Sequence, residues 1–207
     1  MLHLDALREL TTFFDALAPR WHAMQTDERR ARLDRLLAPH HSWFCEARTI
    51  LDIGTGTGAF LPHLCRAAPQ AQVIALDLST VMLAFARAEQ NDNRVRAWIQ
   101  GDAHRLSLPA QTVDGITCHN CFAHLEDRPA ALREMLRVLV PGGVLFILHD
   151  IPREQVNAIH SSAENPRIRR HLLPPVNEAA AQVAAAGFDV QVANDADHYL
   201  IIARRSA

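Results

Sequence analysis

The sequence predicts an α/β fold: a Rossmann-like, doubly wound, mostly parallel sheet of seven strands that ends in an antiparallel hairpin. Two observations lead to this prediction. Short apolar runs of strand length alternate with segments whose apolar residues recur every three or four positions, as in helices. The first run, Thr49–Ile53, is nearly all apolar and ends in glycines, which is typical of a strand buried on both faces.

Two helical patterns precede the first strand. One covers Leu4–Ala18, with its apolar residues on one stripe, and the other begins near Thr26 and is limited by Pro39. The other predicted strands are Gln72–Leu76, Val95–Ile99, Val113–Cys118, Val144–Leu148, Phe188–Val192 and Tyr199–Ala203. Helical patterns occupy Ala59–Ala67, Thr80–Glu89, Ala130–Leu139 and about Val176–Ala186. Only the short segment 193–198 separates the last two strands, so we expect them to form the hairpin.

The length and composition predict one domain. The chain has 207 residues, of which 49% are hydrophobic and 21% charged, and its net charge is -2. That charge argues against a nonspecific nucleic-acid binder, and no apolar run is long enough to span a membrane. The N-terminus lacks a signal pattern, so we expect a cytoplasmic protein with reduced thiols. We divide the domain 1–207 into a helical cap at 1–47 and a core at 48–207, which carries a cap insertion at 152–175.

The clearest chemical motif is the glycine loop after the first strand. Gly54, Gly56 and Gly58 allow a sharp turn and a close approach to a ligand, and the helix predicted near Ala59 directs free N–H groups towards an anionic group. The same loop formally satisfies the dinucleotide fingerprint. Asp77, 23 positions beyond Gly54, could hold a ribose in either case. The loop alone therefore leaves the cofactor open.

Three further features narrow the choice. Asp52 lies two residues before the first glycine, Asp102 follows the third strand, and the segment Pro141-Gly142-Gly143 precedes the fifth. Together with the loop they resemble the class I S-adenosylmethionine-dependent methyltransferases, in particular the small-molecule group that includes the ubiquinone and menaquinone methyltransferases. The resemblance covers roughly Phe13 to Arg204.

The resemblance implies that S-adenosyl-L-methionine is the cofactor and that its methyl group goes to a small-molecule acceptor. The residues it implies for cofactor binding are Asp52, Gly54, Thr55, Gly56, Gly58, Asp77, Leu78, Met82, Asp102, Ala103, Cys118 and His119. The acid and glycines of the loop would cradle the methionine part, Asp77 the ribose, and Asp102 the adenine amino group. Leu78 and Ala103 would flank the ring, while Cys118, His119 and Asn120 would run beside the methionine end.

Each of these roles has a structural alternative. Asp77 could instead cap the helix that starts at Thr80, and Asp102 could act as a cap likewise. Phe13, Phe14 and Trp21 resemble a segment that covers the cofactor, but aromatic residues are more often part of a core.

Methyl transfer is an in-line displacement, so the protein must position the acceptor and, where it is protonated, remove a proton. Ligands of such sheets bind beyond the carboxyl ends of the strands, which selects His119, His124 and His149. If Pro152 opens a helix, Arg153, Asn157 and His160 share one face. The candidate catalytic residues are therefore His149, His160, Arg153, Asn157 and His124. A solvated helix face with incidental histidines explains the same pattern.

Two other interpretations concern metals and other functions. Cys118, Cys121 and His124 are zinc-ligand types, but a second Cys pair at zinc-ribbon spacing is absent, so we expect no metal site. An NAD-dependent oxidoreductase could use the same loop, although the chain has one Tyr and no Lys and so lacks a Tyr-x-x-x-Lys pair. A non-catalytic protein that binds S-adenosylmethionine is a further alternative. We expect a small-molecule acceptor and no nucleic-acid or membrane partner; the acceptor atom and the oligomeric state stay open.

Overall fold

The computed structural model describes residues 2–206, with side chains for residues 5–206. The side chain of Leu4, in the first predicted helix, and the domain ends Met1 and Ala207 lie outside that description. The helices are α1 Leu2–Ala23, α2 Asp27–Leu37, α3 Leu61–Ala67, α4 Thr80–Glu89, α5 Arg128–Val138, α6 Arg153–Ser161 and α7 Val176–Ala185. The strands are β1 Thr49–Ile53, β2 Gln72–Asp77, β3 Val95–Gln100, β4 Val113–His119, β5 Leu139–His149, β6 Phe188–Asp195 and β7 Tyr199–Arg205. Short 3-10 helices cover Ala38–Trp43, Phe122–His124 and Ile168–Arg170.

The seven strands form one sheet in the order β3-β2-β1-β4-β5-β7-β6. The first five pair in parallel, whereas β7 runs antiparallel to both β5 and β6. The predicted parallel sheet with a C-terminal antiparallel hairpin is confirmed. The strand order reverses between β1 and β4, and ligands of such sheets bind at that point, beyond the carboxyl ends of the strands.

Several element bounds differ from the prediction. Strand β5 begins at Leu139 rather than Val144, so the segment Pro141-Gly142-Gly143 lies inside the strand instead of before it. The register explains the difference: Val113 pairs with Leu139 but Gly115 pairs with Val144, so the extra β5 residues bulge out between the two pairs. Helix α3 begins at Leu61 because the chain continues to turn after the third glycine of the loop.

Apolar residues on the two faces of the sheet form two cores. One face, with Leu51 and Ile147, packs against α5 and α7, while the other, with Ile50 and Phe146, packs against α2 and α3. Successive residues of a strand contribute to the two cores in turn, because their side chains point to opposite faces of the sheet and both faces are covered by helices. Helix α1 packs against α4, at the carboxyl end of β2. Among the residues that the structure describes, no helix combines the length and apolarity needed to cross a bilayer.

Candidate active site

The glycine loop is held tightly between β4 and α4. Gly54, Gly56 and Gly58 have φ angles of +69°, +57° and +83°, a region that residues with a side chain rarely adopt. A Cβ at Gly54 would overlap the side chain of Cys121, and one at Gly58 would lie 3.0 Å from the Cβ of Ala86. Both the backbone conformation and the close packing therefore require glycine here.

Asp52 supports the loop from beneath. Its carboxylate accepts hydrogen bonds from the Thr55 hydroxyl at 2.7 Å and from the Thr117 hydroxyl at 2.6 Å. The side chain is buried, and burial raises the pKa of Asp52 to about 6 despite these two hydrogen bonds. Asp52 thus links β1, the loop and β4, and a direct contact with a ligand stays a prediction.

Asp77, the last residue of β2, joins two turns. It accepts hydrogen bonds from the backbone N–H of Gly56 at 2.7 Å and from that of Ser79 at 2.9 Å. Burial raises the pKa of Asp77 above its ordinary value. The hydroxyl of Ser79, not Asp77, caps α4 by accepting from the Met82 N–H, so the capping alternative for Asp77 is wrong. The carboxylate remains at the strand end, where a ribose contact was predicted.

Asp102 lies in the loop after β3 and contacts His104. Its carboxylate accepts a hydrogen bond from the His104 N–H at 3.0 Å and lies 2.5 Å from the His104 Nδ1. Burial disfavours the imidazolium, but the Asp102 carboxylate outweighs it and raises the pKa of His104. No helix follows Asp102 within 103–112, so the capping alternative is wrong here too. Of the other predicted cofactor residues nearby, Met82 and Ala103 are buried, while Leu78 is partly exposed.

Four polar side chains, those of His119, Asn120, Asp150 and Arg29, form a network at the ends of β4 and β5. The His119 ring stacks on Phe60 with centroids 4.6 Å apart, and burial lowers the pKa of His119 to about 4. Asn120, in the left-handed region at φ +52°, donates hydrogen bonds to His119 and, at 2.5 Å, to the Asp150 carboxylate. The other oxygen of Asp150 accepts from Arg29 of α2 at 3.0 Å. Burial opposes ionisation, but His119 and Arg29 hold the pKa of Asp150 far below its ordinary value.

The N-terminal helices cover the loop. The Trp21 Nε1 lies 3.6 Å from where a Cβ of Gly56 would stand, and the Arg29 guanidinium stacks 4.9 Å from the centre of the Trp21 ring. The Ser79 hydroxyl donates to Asp15 of α1 at 2.5 Å. Phe13, Phe14 and Trp21 are all only partly buried, which favours the covering segment over the core alternative.

A cleft of about 1100 Å³ opens between α1, the segment after β4, the start of α5 and the cap insertion. Its walls include Arg8, Phe13, Ala123, Arg128, Arg170 and His171. Arg167 closes one rim by pairing with Glu9 at 2.8 Å and with Glu126 at 2.5 Å. Cys121 lies under Gly54 and Ala123 lines the cleft, so the segment after β4 forms the wall between loop and cleft.

The predicted catalytic residues of the cap insertion bind protein groups. Asn157 donates to the Leu173 carbonyl at 3.0 Å and accepts from its N–H at 2.8 Å, and His160 Nδ1 contacts the His171 carbonyl. Arg153 pairs with Asp195 of β6 at 3.2 Å. The predicted helix after Pro152 is confirmed, with Asn157 and His160 both facing segment 171–173. Direct contacts of these side chains with an acceptor stay predictions.

His149 lies within the protein rather than on the cleft wall. It is 2% exposed, its ring lies 5.9 Å from that of Tyr199, and burial lowers its pKa to about 3. Within the described residues, His149 Nε2 and the Tyr199 hydroxyl have no hydrogen-bond partner.

His124 is part of a cluster that the sequence did not indicate. Its Nδ1 lies 3.0 Å from His171 Nδ1, and His171 Nε2 lies 3.4 Å from the Glu126 carboxylate. Burial, together with His160, His171 and His149, lowers the pKa of His124 well below its ordinary value. Nothing in the sequence pattern brought Glu126 and His171 together, and Asp15, Arg29 and Asp150 were missed for the same reason.

Cys118, within β4, and Cys121, just after the strand, are close to each other. The contact with Cys121, together with burial, raises the pKa of the Cys118 thiol well above its ordinary value. Among residues 5–206, no three His, Cys, Asp or Glu side chains are arranged to hold a metal ion.

Comparisons with known proteins agree with this architecture. A family described as a methyltransferase domain matches residues 51–147. A demethylmenaquinone methyltransferase of Deinococcus radiodurans is 35% identical over 72% of this chain and 63% of its own length. A ubiquinone/menaquinone biosynthesis C-methyltransferase of Vibrio campbellii is 32% identical over 74% of this chain and 55% of its own. The chain therefore spans less than two thirds of the length of these relatives.

A solved structure extends the comparison to the fold. A SAM-dependent methyltransferase from Aquifex aeolicus superposes with a TM-score of 0.69 and 22% identity, over 90% of this chain and 98% of that one. At this identity the match establishes a shared fold. The resemblance inferred from the glycine loop and its flanking acids is confirmed.

Proposed function

We propose that this chain, whose residues 51–147 match a family described as a methyltransferase domain, transfers a methyl group from S-adenosyl-L-methionine to a small-molecule acceptor. The observation that carries the proposal is the bond between Asp77 and the Gly56 N–H, which fixes a glycine turn at the point where the strand order reverses. The glycine turn, the Asp77 carboxylate and the Trp21 side chain that covers the turn all lie at this point.

The residues at this point fit S-adenosyl-L-methionine. A Cβ at Gly56 would lie 3.6 Å from Trp21 and 3.9 Å from the Gly54 carbonyl oxygen, both ordinary contact distances, so the backbone can approach a ligand closely here. Asp77 keeps lone pairs beyond the two that bind N–H groups, and these can accept from ribose hydroxyls. Asp102, in the loop after β3, is the acid proposed for the adenine amino group. When bound, the cofactor supplies an electrophilic methyl group.

We assign the acceptor to the cleft of about 1100 Å³, whose size suits a small molecule. Phe13 and Ala123 form apolar parts of the cleft wall, while Arg128 and His171 add polar groups to it. The relatives named above are methyltransferases of menaquinone and ubiquinone biosynthesis. Reduced quinones, which combine an aromatic ring with hydroxyl groups, are therefore the first acceptor class to test.

The chain's own contribution to the reaction is position and the exclusion of water. Trp21 covers the glycine loop, and Phe14 packs edge-on against His124 with ring centroids 5.1 Å apart. Helix α1 therefore shields both the loop proposed for the cofactor and the histidine near the proposed acceptor cleft. Holding the acceptor in line with the methyl group supplies most of the rate enhancement expected for such a displacement. His124, His149 and His160 remain the candidates for a proton acceptor.

Calorimetric titration with S-adenosyl-L-methionine, S-adenosyl-L-homocysteine and NAD tests the cofactor. We expect micromolar binding of both sulfur nucleosides and none of NAD. Asp77→Asn and Asp77→Ala should weaken that binding at least tenfold, whereas Asp189→Ala, on the exposed surface of β6, should not. Binding of NAD alone would contradict the proposal. Transfer of labelled methyl from the cofactor to a reduced quinone then tests the reaction.

A further inference from the structure

Three side chains from two segments form a chain of contacts at the cleft. Glu126 and His124 flank Leu125 after β4, and His171 belongs to the cap insertion. His124 Nδ1 lies 3.0 Å from His171 Nδ1, and His171 Nε2 lies 3.4 Å from Glu126 Oε1. The contacts run from a partly exposed histidine beside the acceptor cleft to a surface carboxylate.

The carboxylate determines where the protons of both rings reside. Burial opposes ionisation of Glu126, but the hydrogen bond from Arg167 lowers its pKa, so Glu126 is a carboxylate that can only accept. His171 must then carry its proton on Nε2 and donate it to Glu126, because burial lowers the pKa of His171 and leaves the ring neutral. Its Nδ1 is consequently an acceptor.

The same logic extends to His124. Because His171 Nδ1 accepts, the contact of 3.0 Å requires His124 to carry its proton on Nδ1. The lone pair of His124 then lies on Nε2. Within residues 5–206, His124 Nε2 forms no hydrogen bond. Ala123 and Leu125, on either side of His124 in the chain, both line the cleft.

We propose that Glu126 and His171 hold His124 in the Nδ1–H tautomer, and that His124 Nε2 accepts the proton that the acceptor loses on methylation. The second part rests on the proposed function. The acceptor atom forms its bond to carbon with its own electron pair, the carbon–sulfur bond breaks with its pair left on sulfur, and the proton passes to His124 Nε2. The acceptor suited to this step carries a hydroxyl or an activated C–H group.

In this arrangement His124 is the catalytic residue, and its neighbours are positioning residues. Glu126 offsets the positive charge of the imidazolium through His171, as the carboxylate of a catalytic triad does through direct contact with its histidine. His160 contacts the carbonyl of His171 through Nδ1 and fixes the backbone of that residue. His149 and His160, the other titratable groups facing His124, are neutral because burial lowers the pKa of each.

Nitrogen-15 NMR of the full chain with labelled histidine tests the tautomers without any acceptor. His124→Gln and His171→Gln assign the two spin systems. We expect protonated Nδ1 in His124 and protonated Nε2 in His171 near pH 7. Glu126→Gln, whose side-chain oxygen can still accept, should preserve both tautomers, whereas Glu126→Ala should let His124 return to the Nε2–H form that predominates in a free histidine side chain. An Nε2–H tautomer of His124 in the unsubstituted protein would overturn the inference.

Turnover with a methyl acceptor tests the second part. His124→Gln should lower kcat about 100-fold, and Glu126→Ala about 10-fold or more, with an unchanged affinity for S-adenosyl-L-methionine. Glu126→Gln should retain more activity than Glu126→Ala, and Glu164→Ala, on the exposed cap surface, should match the unsubstituted protein. Unchanged kcat in His124→Gln would overturn the assignment of the base. Absence of methyl transfer by the unsubstituted protein would overturn the proposed function, while the NMR measurement still decides the tautomers.

Discussion

The carboxylate of Asp77 accepts a hydrogen bond of 2.7 Å from the backbone N–H of Gly56, which ties the end of β2 to the turn that follows β1. Strands β1 and β2 are neighbours in the sheet, so the bond fixes the loop after β1 relative to the end of β2. The same carboxylate accepts from Ser79 at the start of α4. Asp77 therefore supports the turn from the neighbouring strand and from the start of α4.

Replacing Gly54 should be far more costly than replacing another glycine of similar backbone conformation. Gly54→Ala combines positive-φ strain with overlap against Cys121, and we expect a loss of about 2–4 kcal/mol in the free energy of unfolding. Gly142→Ala is the matched control, since its φ is +76° and no atom lies within 4 Å of the added Cβ. Gly142→Ala should lower the free energy of unfolding by about 1 kcal/mol. Urea denaturation measures both, and equal losses would contradict the overlap argument.

Removing the Arg29 side chain should weaken the packing of the N-terminal helices against the rest of the domain. Its guanidinium contacts both the Trp21 ring and the buried Asp150 carboxylate, so Arg29→Ala leaves a buried charge short of a partner. We expect a loss of about 2 kcal/mol in unfolding free energy and faster cofactor dissociation. Arg30→Ala, which breaks an exposed pair with Asp27, is the control and should change neither quantity. Trp21 fluorescence unaltered by Arg29→Ala would count against a role for this contact in holding the cap.

Acidification should destabilise the protein between pH 6.5 and 5. Burial lowers the pKa of His119 to about 4 and of His149 to about 3, so the unfolded chain binds protons in this range that the folded protein does not. At pH 5 the lowered pKa of each histidine therefore reduces the free energy of unfolding by about 2 kcal/mol. The pKa of Asp52 is raised to about 6, so the folded protein takes up a proton that the unfolded chain does not. This increases the free energy of unfolding at pH 5 by about 1 kcal/mol and partly offsets the effect of the histidines.

Thermal unfolding followed at pH 7, 6 and 5 checks this balance. The melting temperature should fall with pH, and His149→Gln should flatten the curve because it removes one titrating group. Asp52→Asn should steepen it, since the opposing carboxyl is lost. A melting temperature that rises on acidification would show that the histidines are not held neutral.

Tyr199→Phe should stabilise the protein. The ring is fully buried and its hydroxyl has no hydrogen-bond partner among residues 5–206, so removing the oxygen should recover about 1 kcal/mol of desolvation cost. Tyr199→Leu, which also removes aromatic packing against His149, should instead cost about 2 kcal/mol or more. Chemical denaturation at pH 7 distinguishes the two. A loss of stability in Tyr199→Phe would mean that the hydroxyl has a partner in solution, such as a bound water.

Most of the fold could be read from local patterns. Thr80–Glu89 is predicted with its observed bounds because its helical pattern lies within one short segment. Strand β5 was misjudged at its start because a bulge against β4 sets that boundary. The capping roles considered for Asp77 and Asp102 failed because each turn's backbone, not the residue type alone, decides which side chain caps a helix.

The sequence by itself determined the alternation of strands and helices, the glycine turn and the acids beside it, since each depends on backbone preferences and periodicities that a few consecutive residues encode. Only the tertiary structure decided the side-chain partners. His124 meets His171 across 47 positions, and Arg29 meets Asp150 across 121. Local preference carries no information on such pairs, because they form only where the cap folds back over the strand ends and brings together residues that are far apart in the chain. Most buried polar groups of a folded protein are hydrogen-bonded in this way.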